Sequence, residues 1–274
     1  MPSDNSVPNI FRTRNRFSPL KEIEWRAEYN LGKSFLKELE SSKTNIEASL
    51  DKELWLRACD LHCAFIDIAL IISRINEDGT KVNRREELHE IAHGRMWTDE
   101  EEKEFESFSY AINYLVLDVK TLIININIFM DVLAKFLVLF IKKSEKLPES
   151  KNFPRFKKHL KNYKGREIDE LKKIIYENTE WFDDIKDLRD DFVIHHPAGR
   201  HALEFFDGIA HIPLTTTKKE YNRGHIIDGA IAKSISLEKI DSTLSQLKEL
   251  LKELNKYLYE KINTLPFEAE YFEQ

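Results

Sequence analysis

The sequence predicts an all-α protein: a helical bundle with extra N-terminal helices and a small loop or β-hairpin insertion before the last helix. Three observations lead to this fold class. Charged residues make up 33% of the 274 residues while Gly and Pro number only 8 each, a composition typical of long helices. Hydrophobic residues make up 42%, which is enough for a sizeable core. Over several long segments they recur every three or four positions, the spacing of one helix face.

The N-terminal part of the chain is expected to be extended before the helices begin. We predict an extended segment at residues 1–18 and a single helical domain at 19–274, with its core at about 98–263. Pro19 suits the first turn of a helix that we expect to end near Leu39.

Two further helices are predicted before the core. Residues 49–75 carry apolar side chains at mostly helical spacing. The run Asn-Glu-Asp-Gly at 76–79 has the chemistry of a turn and is expected to end this helix. A short, strongly charged helix is predicted at 84–93.

The core is predicted to begin at a capping box formed by Thr98 and Glu101. The helix that follows extends to about Lys143, a length at which a kink is expected. Residues 122–141 within it are the most apolar of the chain, but Asn125, Asn127, Asp131 and Lys135 interrupt them. Because such groups are costly in lipid, we expect a buried core helix and no contact with a membrane.

The C-terminal part is predicted to contain two long helices separated by an irregular segment. A helix from Glu167 to about His195 should stop at Pro197, which disfavours helical backbone before it. Residues 203–228 have the composition of a loop or β-hairpin. An amphipathic helix at 236–262 closes the domain.

Composition also limits the classes of function. A net charge of −6 argues against non-specific coating of nucleic acid. Cys59 and Cys63 form no disulfide framework, so we expect small core cysteines in a reducing, cytoplasmic setting. Residues 1–5 lack a basic segment followed by an apolar run, and we expect no signal peptide.

The motif with the most functional information is Arg-Asp-Asp-Phe-Val-Ile-His-His at residues 189–196. It resembles the R-x(4–6)-H signature of the HEPN superfamily, whose members include metal-independent RNA endonucleases. The resemblance covers about residues 100–263. It implies that Arg189 and His195 are catalytic, that Asp190 orients one of them, and that His196 is the substitute for His195.

The residue types in this motif suit RNA cleavage without a metal. Such cleavage needs a base for the 2′-hydroxyl, an acid for the leaving 5′-oxygen and positive charge near the phosphorus. Histidine titrates near neutral pH, and arginine binds phosphate oxygens through a planar fork. On a straight helix, however, six residues separate Arg189 from His195 by about 9 Å and roughly 240°. Either a break at Pro197 or a second copy of the chain must bring them together.

The resemblance therefore implies a metal-independent endoribonuclease that acts as a homodimer on RNA, with no cofactor and no metal. It also implies a toxin or antiviral defence role, with an antitoxin or regulatory partner. A non-catalytic helical interaction module or nucleotide-binding module is the alternative. In a further alternative, Arg189 merely pairs with Glu180, Asp183 or Asp187 on a solvated helix face.

A less favoured interpretation is a zinc hydrolase. The run His-Glu-Ile-Ala-His at 89–93 satisfies the HExxH pattern, in which two histidines one turn apart bind zinc. Its surroundings fit poorly, because Glu86 and Glu87 precede it and Gly94 would end the helix directly after it.

A basic segment at residues 151–166 stands out in this acidic chain. Its cations alternate with aromatic residues, which suits a track for RNA phosphates with stacking platforms. The candidate RNA-binding residues are Arg155, Lys157, Lys158 and Lys161, and the candidate platforms are Phe153, Phe156 and Tyr163. The alternative is an ordinary exposed connector.

A polar stripe interrupts the apolar core helix at Asp118, Thr121 and Asn125. Buried polar groups need partners. These side chains either bond to the motif helix and hold Arg189, or they face a dimer interface or solvent.

Overall fold

A computed structural model of the protein describes residues 20, 30–34, 37, 48–91, 95–108, 110–139, 152–163, 168–190, 204–206, 209–213 and 234–262. Most of these residues are helical, which confirms the predicted all-α fold class. In chain order the elements are α1 (Ala48–Ile91), α2 (Asp99–Ser107), α3 (Ala111–Val138), α4 (Phe153–Asn162), α5 (Asp169–Asn178), α6 (Trp181–Leu188), β1 (Glu204–Phe206), β2 (Ile209–Pro213), β3 (Ser234–Ser236) and α7 (Leu237–Ile262).

The centre of the fold is the packing of α1 against α3. The two helices are antiparallel, because Arg84 of α1 bonds to Glu104 before α3 whereas Arg74 bonds to Asp118 inside α3. Apolar side chains from both helices are almost completely buried between them, and each contributes about 1.5–3 kcal/mol. The largest fully buried side chains of these two helices are Leu54, Leu61, Ile68, Ile75, Leu115, Leu122, Ile123, Phe129 and Phe136.

Helix α1 is continuous through residues 76–79, so the predicted turn there is wrong. Ile75 and Val82, seven residues apart on one helix face, are both fully buried. Their burial outweighs the local cost of a glycine within a helix, about 1 kcal/mol. The Asp78 carboxylate accepts a hydrogen bond from Lys81 at 3.1 Å and does not cap a turn.

The predicted capping box is confirmed. The Thr98 hydroxyl accepts a hydrogen bond from the Glu101 N–H, and the Glu101 carboxylate accepts one from the Thr98 N–H. The Arg95 guanidinium, together with the Thr98 N–H, lowers the pKa of Glu101 to about 2. The helix predicted to run to Lys143 is instead two helices, because α2 ends at Ser107 and α3 begins at Ala111.

A helical turn from the N-terminal part lies directly on α1. The Asn30 side chain accepts a hydrogen bond from the Lys33 N–H at 3.0 Å, and its amide nitrogen lies 2.7 Å from His62 Nδ1. A Cβ atom on Gly32 would lie 2.3 Å from the Ala58 carbonyl oxygen, so only glycine allows this close approach. Of the predicted helix from Pro19 to Leu39, residues 31–34 and 37 are described and helical, whereas Leu20 and Asn30 are described and not helical, so the prediction of one continuous helix is wrong. The predicted extended segment lies outside the described residues.

Helix α3 also positions the helices that follow it. The Asp131 carboxylate accepts a hydrogen bond from the Phe153 N–H at 2.8 Å, at the first turn of α4. The single helix predicted from Glu167 onward is instead two helices, with a break at Thr179 and Glu180. The Thr179 hydroxyl is buried and donates to the Ile175 carbonyl at the end of α5.

The predicted insertion before the last helix is a small antiparallel sheet. β1 and β2 form a hairpin, as expected, and β3 adds a third strand in the order β1-β2-β3. Ile212 of β2 pairs with Ile235 of β3, and both are buried. The sheet contacts α7, and α7 packs along α5. The amphipathic helix predicted at 236–262 is confirmed as α7.

The stretch Asp99–Val138, which contains α3, is long and apolar enough to cross a membrane by length and composition alone. A little over half of its most apolar part is buried within the protein. The core helix of a soluble protein passes the same test, and the burial of α3 against α1 agrees with the predicted core helix.

The most deeply buried charged side chain in the described part of the chain lies where α3 meets α1. The Asp118 side chain is only 1% exposed, and its Oδ1 accepts a hydrogen bond from the more exposed Arg74 at 2.5 Å. Its Oδ2 is buried without a hydrogen-bond partner among the described residues. Burial raises the pKa of Asp118, while Arg74 opposes this rise by favouring the charged carboxylate.

The pH dependence of stability should therefore carry a signature of Asp118. The folded protein binds a proton on this carboxyl at higher pH than the unfolded chain, whose aspartates titrate near ~3.9. Its contribution to the free energy of unfolding should thus fall as the pH rises from ~3.9 through the raised pKa. Urea denaturation between pH 3 and 7 should show Asp118→Asn gaining stability relative to wild type with increasing pH. A difference that does not change with pH would contradict this.

Candidate functional site

Helix α6, which leads into the motif, is held on three sides. Its buried face consists of Trp181, Phe182 and Ile185. The Phe182 ring packs edge-on against Phe153 of α4, with ring centroids 5.1 Å apart. On the side facing α7, Lys239 donates a hydrogen bond to Asp184 at 2.7 Å. Together with the contact of α6 with α3, these interactions fix where the helix ends.

Arg189 and Asp190 lie at that end. The chain continues beyond α6 in a wider π-type turn at these two residues, a feature frequent at functional sites. The Arg189 guanidinium donates from Nε and Nη2 to Oδ1 of Asp190, at 2.9 and 2.6 Å. Both side chains are partly exposed. Among the described residues, the ion-pair partner of Arg189 is therefore Asp190. Asp183, which the sequence offered as another partner for Arg189, instead lies 3.9 Å from Lys157.

This contact leaves Arg189 with capacity to bind an anion. A guanidinium has five N–H donors, and Asp190 takes two of them. The other donors have no partner among the described residues. The pairing also limits the rotamers of a long side chain, so less entropy is lost when a phosphate binds.

His195 and His196 lie outside the described residues, as do Asp191 and Pro197. The assignment of His195 as catalytic stays a prediction, as do those of Arg189, Asp190 and His196.

The basic segment is a helix and not a connector along the described range 152–163. Its first turn is capped by Asn152, whose side chain accepts a hydrogen bond from the Arg155 N–H. Phe153 and Phe156 are fully buried, and Tyr163 is nearly so. The prediction that these rings stack on RNA bases is therefore wrong, because they belong to the core.

Three of the four candidate RNA-binding cations remain available on α4. Arg155, Lys158 and Lys161 are exposed at positions three residues apart, so they follow one side of the helix surface. No carboxylate in the described part of the chain forms an ion pair with them. This row lies on α4, which precedes α5 and the motif helix α6 along the chain.

Lys157 differs from these three residues, because it joins α4 to the break between α5 and α6. Its side chain is only 19% exposed, and its Nζ lies 3.4 Å from the Thr179 carbonyl oxygen and 3.9 Å from Asp183. The ammonium also lies over the Tyr176 ring, while the Tyr176 hydroxyl donates to the Lys157 carbonyl at 2.6 Å. Lys157 thus has structural partners that the sequence analysis missed, since its partners lie about twenty residues away.

The candidate zinc-binding run at residues 89–93 lies at the end of α1 and just past it. His89 and Glu90 lie on the last turns of α1, but their side chains and His93 lie outside the described residues. Among described residues there is no group of three or more His, Cys, Asp or Glu side chains placed to hold a metal. His62 faces Asn30.

The two cysteines are not both core residues. Cys63 is exposed, so the core prediction is wrong for it, while Cys59 is half-buried. Partial burial raises the pKa of Cys59, with smaller contributions from Cys63 and Asp60.

The polar stripe of α3 does not hold Arg189 through the bonds that the structure shows. Asp118 binds Arg74 of α1. The Thr121 hydroxyl donates to the Leu117 carbonyl, and Asn125 donates to the Thr121 carbonyl, both on their own helix. None of these three side chains forms a hydrogen bond with α6 among the described residues.

Comparison of the chain with protein-family models, with curated proteins and with solved structures finds no match. The functional assignment therefore depends on the chemistry and placement of the chain's own residues.

Lys157 and Lys158 are adjacent in the sequence but should differ in their effect on stability. We expect Lys157→Met to lower the free energy of unfolding by about 1 kcal/mol, the usual contribution of a hydrogen bond. Lys158→Met should leave it unchanged, because this side chain is exposed and has no described partner. Thermal unfolding of both variants tests the difference. Equal melting temperatures of the two variants would contradict a structural role of Lys157.

Proposed function

We propose that this protein is a metal-independent endoribonuclease in which Arg189 binds the scissile phosphate. The observation that carries the proposal is the position of Arg189: partly exposed at the end of a well-anchored helix, with Asp190 orienting its guanidinium. The same motif holds His195, with His196 as its substitute, within two helical turns along the sequence. This combination of an oriented cation and a neighbouring imidazole is what metal-free phosphodiester cleavage requires.

In the proposed reaction one imidazole removes the proton of the 2′-hydroxyl, and the 2′-oxygen forms a bond to phosphorus. The bond between phosphorus and the 5′-oxygen breaks, and a protonated imidazole donates its proton to that oxygen. The products are a 2′,3′-cyclic phosphate and a free 5′-hydroxyl. Arg189 stabilises the negative charge that develops on the phosphoryl oxygens. Two copies of the chain supply the two imidazoles.

The RNA backbone is proposed to bind along Arg155, Lys158 and Lys161. These cations form a local positive surface on a chain whose net charge is negative. Their attraction to phosphates is independent of base sequence, so this surface would add affinity and Arg189 would select the cleaved bond. A cytoplasmic toxin or antiviral defence role, restrained by a partner, is part of the same proposal.

Replacement of Arg189 tests the catalytic proposal. Purified wild-type protein should cleave single-stranded RNA in the presence of EDTA and leave 2′,3′-cyclic phosphate ends. Arg189→Ala and His195→Ala should each reduce the rate at least a hundredfold, because each removes a group that acts in the transition state. Circular dichroism and thermal unfolding should remain those of the wild type.

Arg155→Ala is the matched control, since it removes an exposed arginine outside the proposed catalytic site. It should weaken RNA binding but retain most of the cleavage rate at saturating RNA. Cleavage that persists in the double variant Arg189→Ala, His195→Ala would refute the catalytic assignment. RNA binding without any cleavage by wild type would favour the non-catalytic alternative.

The salt dependence of RNA affinity tests the cationic surface. For single strands, the slope of log affinity against log salt concentration changes by about 0.7 for each phosphate contact. We expect the triple variant Arg155→Gln, Lys158→Gln, Lys161→Gln to flatten this slope by about 2. Fluorescence anisotropy with a labelled oligonucleotide measures it. Two replacements on the exposed face of α7, Lys252→Gln and Lys256→Gln, should leave the slope unchanged.

A further inference from the structure

The outward side of α3 carries an apolar stripe that no described residue covers. Tyr114, Leu117 and Ile128 are 54%, 48% and 47% exposed, respectively. Ile124 is half-buried, and Thr121 lies in the middle. The spacing of these five residues alternates between three and four, which places them on one line along the helix. We call this line, Tyr114, Leu117, Thr121, Ile124 and Ile128, the α3 ridge.

The α3 ridge has the chemistry of a surface that becomes buried in an interface. Between Ala111 and Met130 the charged residues of α3 are Asp118 and Lys120, and both are buried. Two of the polar side chains on or beside the ridge already donate to carbonyls of their own helix, Thr121 at 2.8 Å and Asn125 at 2.9 Å. Covering the ridge therefore leaves neither of these donors unsatisfied.

Exposed large apolar side chains are concentrated on the two central helices. Apart from Met96 and Tyr259, those in the described part of the chain lie on α1, on α3 or at the first turn of α3. They are Trp55, Leu56, Ile66, Leu70, Tyr110, Tyr114, Leu117 and Ile128. A line of such side chains along one helix face, as on the α3 ridge, marks an interaction surface, whereas single exposed apolar residues do not.

Charges beside the ridge favour a protein over a lipid surface as its partner. Asp60, Asp67 and Arg74 of α1 are spaced by seven residues, so all three lie on the side of α1 that meets Asp118. They are exposed. Insertion of the ridge into a membrane would bring these charges toward lipid at high cost, whereas the edge of a protein interface stays hydrated.

The described N-terminal turn does not cover the α3 ridge. It contacts α1 at Ala58 and His62, and the ridge remains about half exposed with that turn in place. We propose that the α3 ridge binds the α3 ridge of a second copy of this chain, in an antiparallel pair with its two-fold axis at Thr121.

The ridge is self-complementary in this arrangement. Tyr114 and Ile128 each lie seven residues from Thr121, so each would face the other across the two-fold axis. Leu117 would face the segment around Ile124 of the second copy, and the two Thr121 residues would meet at the centre. A two-fold interface requires such matching of a surface with itself.

The charges of α1 complement one another in the same arrangement. Arg74 lies beside Asp118, three residues before Thr121, and Asp67 lies two turns away on the same side of α1. The antiparallel pairing brings Arg74 of one copy toward Asp67 of the second copy. Opposite charges at the edge of an interface fix its register. This inference rests on α1 and α3 and does not depend on RNA cleavage.

Sedimentation velocity of the full chain tests the pairing. Wild type should sediment as a dimer at micromolar concentration. Leu117→Glu combined with Ile128→Glu should weaken association at least tenfold, with unchanged circular dichroism. Met96→Glu, which alters a side chain exposed away from α3, should remain a dimer. A monomeric wild type, or a dimer that tolerates the double replacement, overturns the proposal.

A cross-linking experiment tests the register. Thr121→Cys, in a background of Cys59→Ser and Cys63→Ser, should form a disulfide between two copies under mild oxidation. Ser245→Cys on α7 is the matched control, because Ser245 also donates its hydroxyl to the carbonyl four residues earlier on its own helix. It should not cross-link. Absence of the Thr121→Cys disulfide would overturn the proposal, and so would equal cross-linking of the control. Binding of monomeric wild type to phosphatidylcholine vesicles would also overturn it, because the ridge would then bind lipid.

Discussion

The packing of α3 against α1 is the contact from which α4 and α6 are positioned, and it buries the carboxylate of Asp118. Apolar burial along the interface provides the stabilisation, whereas Asp118 needs Arg74 as its partner because an isolated carboxylate is costly away from water. The guanidinium reaches this carboxylate from the rim and remains largely in solvent. The interface therefore accommodates the charge at its edge, and the apolar layers on either side stay uninterrupted.

From α3 the order of the structure extends to the motif through a short series of contacts. Asp131 fixes the start of α4, Phe153 of α4 packs on Phe182 of α6, and α6 ends at Arg189. A guanidinium carried by a helix that is fixed in this way needs little reorganisation to meet a phosphate. The basic helix α4 is thus both a support for the motif helix, through its buried rings, and a candidate RNA surface, through its exposed cations.

Local sequence patterns were sufficient to predict α7, the capping box of α2 and the burial of α3, because each pattern lies in residues close in sequence. These patterns failed where contacts with residues distant in sequence determine the conformation or burial of a segment. Phe153 and Phe156 alternate with cations, and only packing against α6 shows that they are core residues. The turn at 76–79 has the right local chemistry, but burial of Ile75 and Val82 keeps it helical. The Arg189–Asp190 pair joins adjacent residues, so the motif could suggest it, whereas the partners of Lys157 could not be found from sequence.

The contact of Gly32 with α1 has a consequence for how the chain can be divided. Residues far from the core in sequence touch the backbone of α1 at Ala58, and Asn30 is buried beside His62. A fragment that starts at α1 would expose this backbone and leave His62 without Asn30. The N-terminal turn is thus an integral part of the same folding unit, and fragments intended for separate expression should include it.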